Sequence, residues 1–254
     1  MIVNADDFGK SALVNSAILH CFQHSLCSSA TIMATGASFD EACAMVHDHR
    51  LLDHMGVHLV LDAGIPLTEG IRCCRRLCDH EGRLLPRSLR LFLTSDEKRC
   101  LAREIAAQIE KTQSRGIPIT HLDSHHHVHE LWPILSIVLK MARNYDIPYL
   151  RLAANCGPRN SLPLKLYRRC VNERIRWRGM ARTQYFGSLA NFLWHLQSWG
   201  LCSRDTWEVM IHPTWGHKQN VVDEVDTDIP LEVRFPREFR AGLVSYTGHR
   251  YEGT

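Results

Sequence analysis

Short apolar runs alternate with segments of helical period along this chain, and no other feature restricts its fold as strongly. Met1–Ala5, Ser28–Thr35, Met55–Leu61, Ile119–Asp123, Tyr149–Leu152 and Trp207–Ile211 read as strands. Between them, Lys10–His24 carries Leu13, Ala17 and Cys21 at helical spacing, and Phe39–His49 presents Phe39, Cys43 and Val46 on one face. Asp96–Arg115 aligns Leu101, Ile105 and Ile109 before Gly116-Ile117-Pro118 stops it, and Leu131–Asn144 is a further helix. Residues 155–205 contain helical stretches and a strand at Thr183–Phe186, and Pro236–Tyr246 reads as a closing helix. Strands joined through helices run parallel, which predicts an α/β fold, either a (βα) barrel or an open doubly wound sheet. In both, ligands bind at the C-terminal ends of the strands. Asp6, Asp7, His58, His125 and His212 all fall there.

Length and composition suit one enzyme-sized domain over residues 1–254, with 45% apolar and 22% charged residues. The stretch at about 62–95, rich in Gly, Pro, Arg and Cys, reads as a long substrate-side loop. A net charge of +3 is too small to imply a nucleic-acid partner. Lys165, Arg168, Arg169, Arg174, Arg176, Arg178 and Arg182 interleave with Leu164, Leu166, Val171, Ile175 and Trp177, a pattern read as a solvated helix face, with an anionic-ligand site as the alternative. No run approaches the roughly 20 apolar residues of a membrane span, and no secretory leader is visible at the N-terminus. Ten scattered cysteines fit reduced thiols in a cytoplasmic protein. Cys73-Cys74 and Cys78 with His80 could form a metal site, but no second cysteine pair completes it, so they read as loop cysteines.

The chemistry is concentrated in two places. Asp6 and Asp7 end the first apolar run, where one carboxylate can ligate a metal and its neighbour stay free as a base; the plainer alternative is a cap on the following helix. Thr120–His129 packs His121, His125, His126, His127 and His129 around Asp123. On a strand His121, Asp123 and His125 share a face, and in a helix His125 and His129 lie one turn apart, so spacing leaves the ligands among these histidines open. His58 and His212 are weak signals alone and become plausible ligands or proton donors beside a metal. Gly-x-Ser-x-Gly, Walker, GxGxxG and His-Glu-x-x-His patterns are all missing from the sequence.

Four blocks carry a family resemblance: Val3–Gly9 (Val-Asn-Ala-Asp-Asp-Phe-Gly), Gly56–Leu59 with Gly64–Thr68, Thr120–His129, and Glu208–Pro213. In order and separation they resemble the YdjC-like carbohydrate deacetylases, which include the chitooligosaccharide deacetylases. The resemblance implies a distorted (βα) barrel, TIM-barrel-like and related to the polysaccharide deacetylases. It implies one divalent metal ion, Zn²⁺ or Mg²⁺, held by Asp7, His58 and His125, with Asp6 as general base and His212 as general acid. Asp123 then reads either as support for a metal ligand or as a structural residue. The expected reaction removes the N-acetyl group from an N-acetylated amino sugar, a chitooligosaccharide or related glycoconjugate, and releases acetate. The expected partner is a small-molecule carbohydrate, and the resemblance implies a homodimer. Two other functions keep some of the same residues. One is a metal-dependent hydrolase of another amide or a phosphoester; the other is a non-catalytic metal- or sugar-binding regulator.

Overall fold

The computed structural model describes the chain except for residues 87–91, 159–160, 201, 203, 236 and 249–254. In chain order the elements are β1 (Ile2–Phe8), α1 (Ala12–Gln23), β2 (Ser29–Ile32), α2 (Phe39–Asp48), β3 (Met55–Leu59), α3 (Glu69–Arg72) and α4 (Ser95–Gln113). They continue as β4 (His121–Ser124), α5 (Trp132–Asn144), β5 (Tyr149–Leu150), α6 (Leu162–Trp177), β6 (Tyr185–Ser188), α7 (Leu189–Trp199) and β7 (Trp207–Ile211). The last are β8 (Pro213–Trp215), β9 (Val221–Asp223), β10 (Asp226–Pro230), α8 (Leu231–Arg234) and α9 (Arg237–Arg240).

The main sheet has the order β5-β4-β3-β2-β1-β7-β6, with every pairing parallel. A parallel bridge joins Tyr149 of the edge strand β5 to Ala181, in the segment that precedes β6. Ala181 donates its N–H to the Pro148 carbonyl at 2.9 Å. The seven-stranded α/β sheet therefore curls into a distorted half-barrel, one strand short of the eight of a TIM barrel.

Alternation along the strands decides what lies inside and outside this barrel. Val3, Ala5, Ala30, Ile32, Val57, Leu122, Val209 and Ile211 face the helices and join two apolar clusters with α1, α2, α4 and α5. The intervening residues Asn4, Asp6, Thr31, His58, His121, Asp123 and Glu208 are just as buried; the first six bond to one another within the barrel, and Glu208 bonds Arg151. The interior is thus a polar network, and the hydrocarbon core lies between sheet and helices. Gly56 belongs to this arrangement. A Cβ there would stand 2.5 Å from Cε1 of His121 and 2.6 Å from its carbonyl oxygen.

Several expectations need correction. Leu13 is not part of the buried face of α1; it is 55% exposed, and Asn15, Ala17, Ile18, Cys21 and Phe22 point inward. Asn15 fixes this rotation by accepting the Gly9 N–H at 2.7 Å. The expected closing helix Pro236–Tyr246 shrinks to the single turn α9, with Pro236 itself outside the described residues. Beyond it, Val244 donates to the Met1 carbonyl at 3.0 Å and the Tyr246 ring stacks on His121 at 3.8 Å, so pairing against the barrel wins over helix formation. The small antiparallel sheet β10-β9-β8 had no counterpart in the sequence reading. Part of the 62–95 stretch is tied down: buried Glu104 accepts the N–H groups of Leu67 at 2.9 Å and Thr68 at 2.8 Å. Its residues 87–91 lie outside the described residues. In the basic segment Leu164, Leu166 and Trp177 are exposed and α6 buries only Val171 and Ile175, so the segment is the largely solvated helix face its pattern suggests. All ten cysteines are free thiols. Among the described residues, no helix is long and apolar enough to cross a membrane.

Gly56→Ala tests the close approach of β3 and β4. The variant is expected to lose about 1–3 kcal/mol, the usual cost of overpacking a tight interior. Urea unfolding measures it, and an unchanged midpoint would mean the strands have room to spare.

Candidate active site

Strand register and one backbone irregularity assemble the site. His58 and Asp123 are register partners on β3 and β4, so both imidazole and carboxylate enter the barrel at one level. Asp7 has a φ of 71°, at a point where the β1–β2 register shifts between Ala5 and Phe8. This bulge turns a residue that would otherwise face the helices back toward the mouth of the barrel, beside Asp6. The helix-capping alternative fails, because Ser11 caps α1 by accepting from Val14 at 3.3 Å. After β4 the chain enters a 3₁₀ turn, His125–Glu130, in which His126 and His127 adopt left-handed backbone with φ of 50° and 55°. The histidines accordingly take separate partners, although the His125 and His126 rings stay 3.9 Å apart. His125 faces Asp7, His126 bonds Asp62 at 3.0 Å, and His129 is buried against Ser124 at 2.6 Å.

The resulting cavity of about 400 Å³ is lined by Asp6, Asp7, His58, His125, His127 and His212, with Lys10, Met210 and Glu224 at its wall. All five of the residues singled out from the sequence thus share one cavity. Asp7 Oδ1 lies 3.2 Å from His58 Nε2 and 3.1 Å from His125 Nδ1. Its other oxygen accepts from Lys10 Nζ at 3.0 Å, so only Oδ1 faces the two imidazoles. His58 Nδ1 lies 2.7 Å from Asp123 Oδ1 and donates to it, which turns Nε2 toward Asp7. That Nε2 is buried and makes no hydrogen bond of good geometry.

Charge explains what such a cluster would hold. Burial opposes protonation of His58, yet Asp123, Asp7 and Asp6 outweigh it and raise the imidazole to about 10. Burial likewise works to raise the Asp7 carboxyl, and contacts with His125 and His58 pull it well below the carboxylate range instead. A site that draws a proton this strongly has an excess of negative potential, and a divalent cation satisfies it with more charge. Asp7, His58 and His125 each offer a ligand atom, all within 4.8 Å of one another. Asp6, His58 and Asp123 meet the same distance criterion. However, Arg151 already occupies both carboxylates of that second set, contacting Asp6 at 2.6 Å and 2.7 Å and Asp123 at 2.6 Å. The donor set of one carboxylate and two imidazoles fits a divalent ion such as Zn²⁺.

A family model described as YdjC-like protein matches residues 1–243. The chain belongs to the YdjC-like family. It is 38% identical over 148 residues to a carbohydrate deacetylase of Brevibacillus brevis, covering 58% of this chain and 57% of that one. It is also 38% identical over 147 residues to a carbohydrate deacetylase of Geobacillus stearothermophilus, again covering 58% and 57%. These alignments therefore span less than two thirds of either relative. A solved structure from Enterococcus faecalis, described as a candidate cellobiose-phosphate cleavage protein, superposes with a TM-score of 0.71 at 22% identity over 97% of each chain. That similarity concerns the fold.

Within this YdjC-like barrel the sequence reading missed Arg151, the largest fully buried side chain. Arg151 grips Asp6 with two nitrogens, touches Asp123 and donates from Nε to Glu208 Oε1 at 2.5 Å. Burial pushes the Asp6 carboxyl up, but the Arg151 charge and hydrogen bonds, with His58 and His212, hold it well below its ordinary range. Only its place just past a strand, in an otherwise apolar Tyr-Leu-Arg-Leu run, could have drawn notice. Lys10 was missed too, read merely as the start of a helix. Cys73, Cys74, Cys78 and His80, weighed as a second metal site, do not converge as a ligand cluster among the described residues: Cys73 and His80 are exposed while Cys78 is buried.

Arg151→Met is expected to cost about 3–5 kcal/mol in denaturant unfolding, because it strands buried carboxylates without their cation. In the intact protein Asp6, with its lowered folded value, contributes stability above its unfolded value of about 4, lost as pH falls below it. Without the guanidinium that contribution shrinks, so stability should fall less steeply on acidification than in the unmodified protein. A parallel pH dependence for the two would show that Arg151 does not govern Asp6.

Proposed function

We propose that this YdjC-like protein is a metal-dependent N-deacetylase that removes acetate from an N-acetylated amino sugar. The observation that carries the proposal is a separation of roles within one cavity. Asp7, His58 and His125 converge as ligands, while the adjacent Asp6 is ionised and held by Arg151 instead. The carbohydrate deacetylase names of the Brevibacillus and Geobacillus relatives support the substrate class.

In this proposal Asp7, His58 and His125 hold one divalent ion, Zn²⁺ or Mg²⁺. When bound, the ion supplies Lewis-acid polarisation of the acetamide carbonyl and lowers the pKa of water. Asp6 takes the proton of the attacking water. A carboxylate kept this far below its ordinary range is a weak base, so it accepts only from a water already made acidic, and it is ionised at neutral pH. Arg151 and Asn4, which donates to Asp6 Oδ1 at 2.8 Å, fix its orientation. His212 faces Asp6, with Nε2 3.9 Å from Oδ2, and serves as the acid that protonates the departing amine. An amide nitrogen leaves poorly until protonated, so such a donor is chemically necessary. Asp123 orients His58 through its Nδ1–H. His126, His127 and Met210 line the space open to the sugar.

Acetate release from N-acetylglucosamine, chitobiose, chitotriose and their 6-phosphorylated forms tests this directly. Activity should vanish on chelation and return with Zn²⁺ or Mg²⁺; persistence through thorough chelation would sink the metal-dependent mechanism. Asp6→Asn is expected to retain bound metal and lose turnover by at least about 100-fold, the lower range for removing a positioned proton acceptor. Asp123→Asn should weaken metal binding or activity by about 10–100-fold through misorientation of His58. Equal metal affinity and rate in Asp123→Asn would make that residue purely structural.

A further inference from the structure

A second cluster of metal-ligating groups lies outside the cavity. His20 and His24 stand one turn apart on α1, and Glu232 of α8 reaches them from another part of the chain. One ligand atom from each lies within 4.8 Å of the others. None of the three belongs to the cavity lining.

The ring geometry is already organised. His24 donates its Nδ1–H to the His20 carbonyl at 3.0 Å, which leaves its Nε2 with a free lone pair. The His20 ring stacks on His24 at 3.8 Å and meets the edge of Trp215 at 5.2 Å. Trp215 is itself anchored by its Nε1–H to Ser16 Oγ at 2.8 Å. His20 Nε2 points to Glu232 Oε1 at 3.6 Å. Both rings offer imidazole nitrogens, a ligand type that suits Zn²⁺. Residues on two elements far apart in sequence share the cluster, which an isolated surface histidine pair would not provide.

We infer that His20, His24 and Glu232 form a second divalent-cation site, selective for Zn²⁺ or similar imidazole-preferring ions over Mg²⁺. Half-buried His20 forms its floor, and exposed His24 and Glu232 leave it open to solvent. An ion there ties α8 to α1. The chain entering α8 comes from β10, and Glu224, just before β10, bonds Lys10 at 3.2 Å beside Asp7. The clamp therefore steadies the wall of the cavity without contributing to its chemistry.

Zn²⁺ bound to the full chain, counted by metal analysis after equilibrium dialysis at pH 7.5, tests the site without any substrate. The unmodified protein is expected to bind two ions and His20→Ala/His24→Ala one. Asp7→Asn/His125→Ala should also bind one, and combining all four substitutions should leave none. Glu232→Gln, a milder surface change, should weaken the second Zn²⁺ by at least about 10-fold, the smallest loss typical even for outer partners of a metal site. Mg²⁺ should not compete for this ion. Equal Zn²⁺ counts in the unmodified protein and His20→Ala/His24→Ala would overturn the inference. Loss of the ion from Asp7→Asn/His125→Ala with no effect of the His20→Ala/His24→Ala change would do the same. Neither result bears on the deacetylase proposal, which is read by acetate release.

Discussion

The ion network around Arg151 is the constraint on which the rest of the structure depends. A barrel filled with carboxylates, amides and imidazoles has no hydrocarbon centre to hold it, so its polar groups must satisfy one another. Arg151 links β1, β4 and β7 by contacting Asp6, Asp123 and Glu208. Burying a guanidinium with three carboxylates is costly unless the geometry is good, and here every arm of the guanidinium is engaged. The same contacts set the charge state of Asp6, so the element that holds the barrel together also prepares its chemistry.

Around that network, charge decides which groups remain available. Arg151 saturates Asp6 and Asp123, and Lys10 takes the outer oxygen of Asp7. What is left as candidate metal ligands is Asp7 Oδ1 and one nitrogen on each of His58 and His125, while Asp6 and His212 also line the cavity. Backbone strain buys part of this arrangement: Asp7, His126 and His127 all adopt positive φ, a conformation costing on the order of 1 kcal/mol or more in residues with a Cβ. The Asp7 bulge brings two consecutive carboxylates to one site, and the left-handed pair spreads the histidines to separate partners.

Much of this was legible in the chain. Apolar alternation revealed β1, β3, β4 and β7 and the helices between them, because each strand packs one apolar face against helices and that periodicity survives in the sequence. The polar residues in those same strands were visible as Asp6, His58 and Asp123, although nothing local says that they point into a barrel. Helix α1 shows the limit: Leu13 matched the spacing, but the hydrogen bond from Gly9 to Asn15 set the rotation of the helix. Arg151 and Lys10 were not legible at all. A single arginine or lysine has no periodic signal, and each bonds a partner far off in sequence, Asp6 145 residues from Arg151 and Glu224 214 residues from Lys10.

The sequence by itself determined the α/β alternation, the placing of acid and histidine groups at strand ends, and the family to which those motifs belong. These are properties of local spacing, which the linear order of residues preserves. Only the tertiary structure decided which histidine faces Asp7, that the sheet curls into a half-barrel, and that Arg151 rather than solvent neutralises the interior. Those outcomes depend on distances between strands distant in sequence, and on a bulge and a left-handed turn that reverse the direction local periodicity would assign to a side chain.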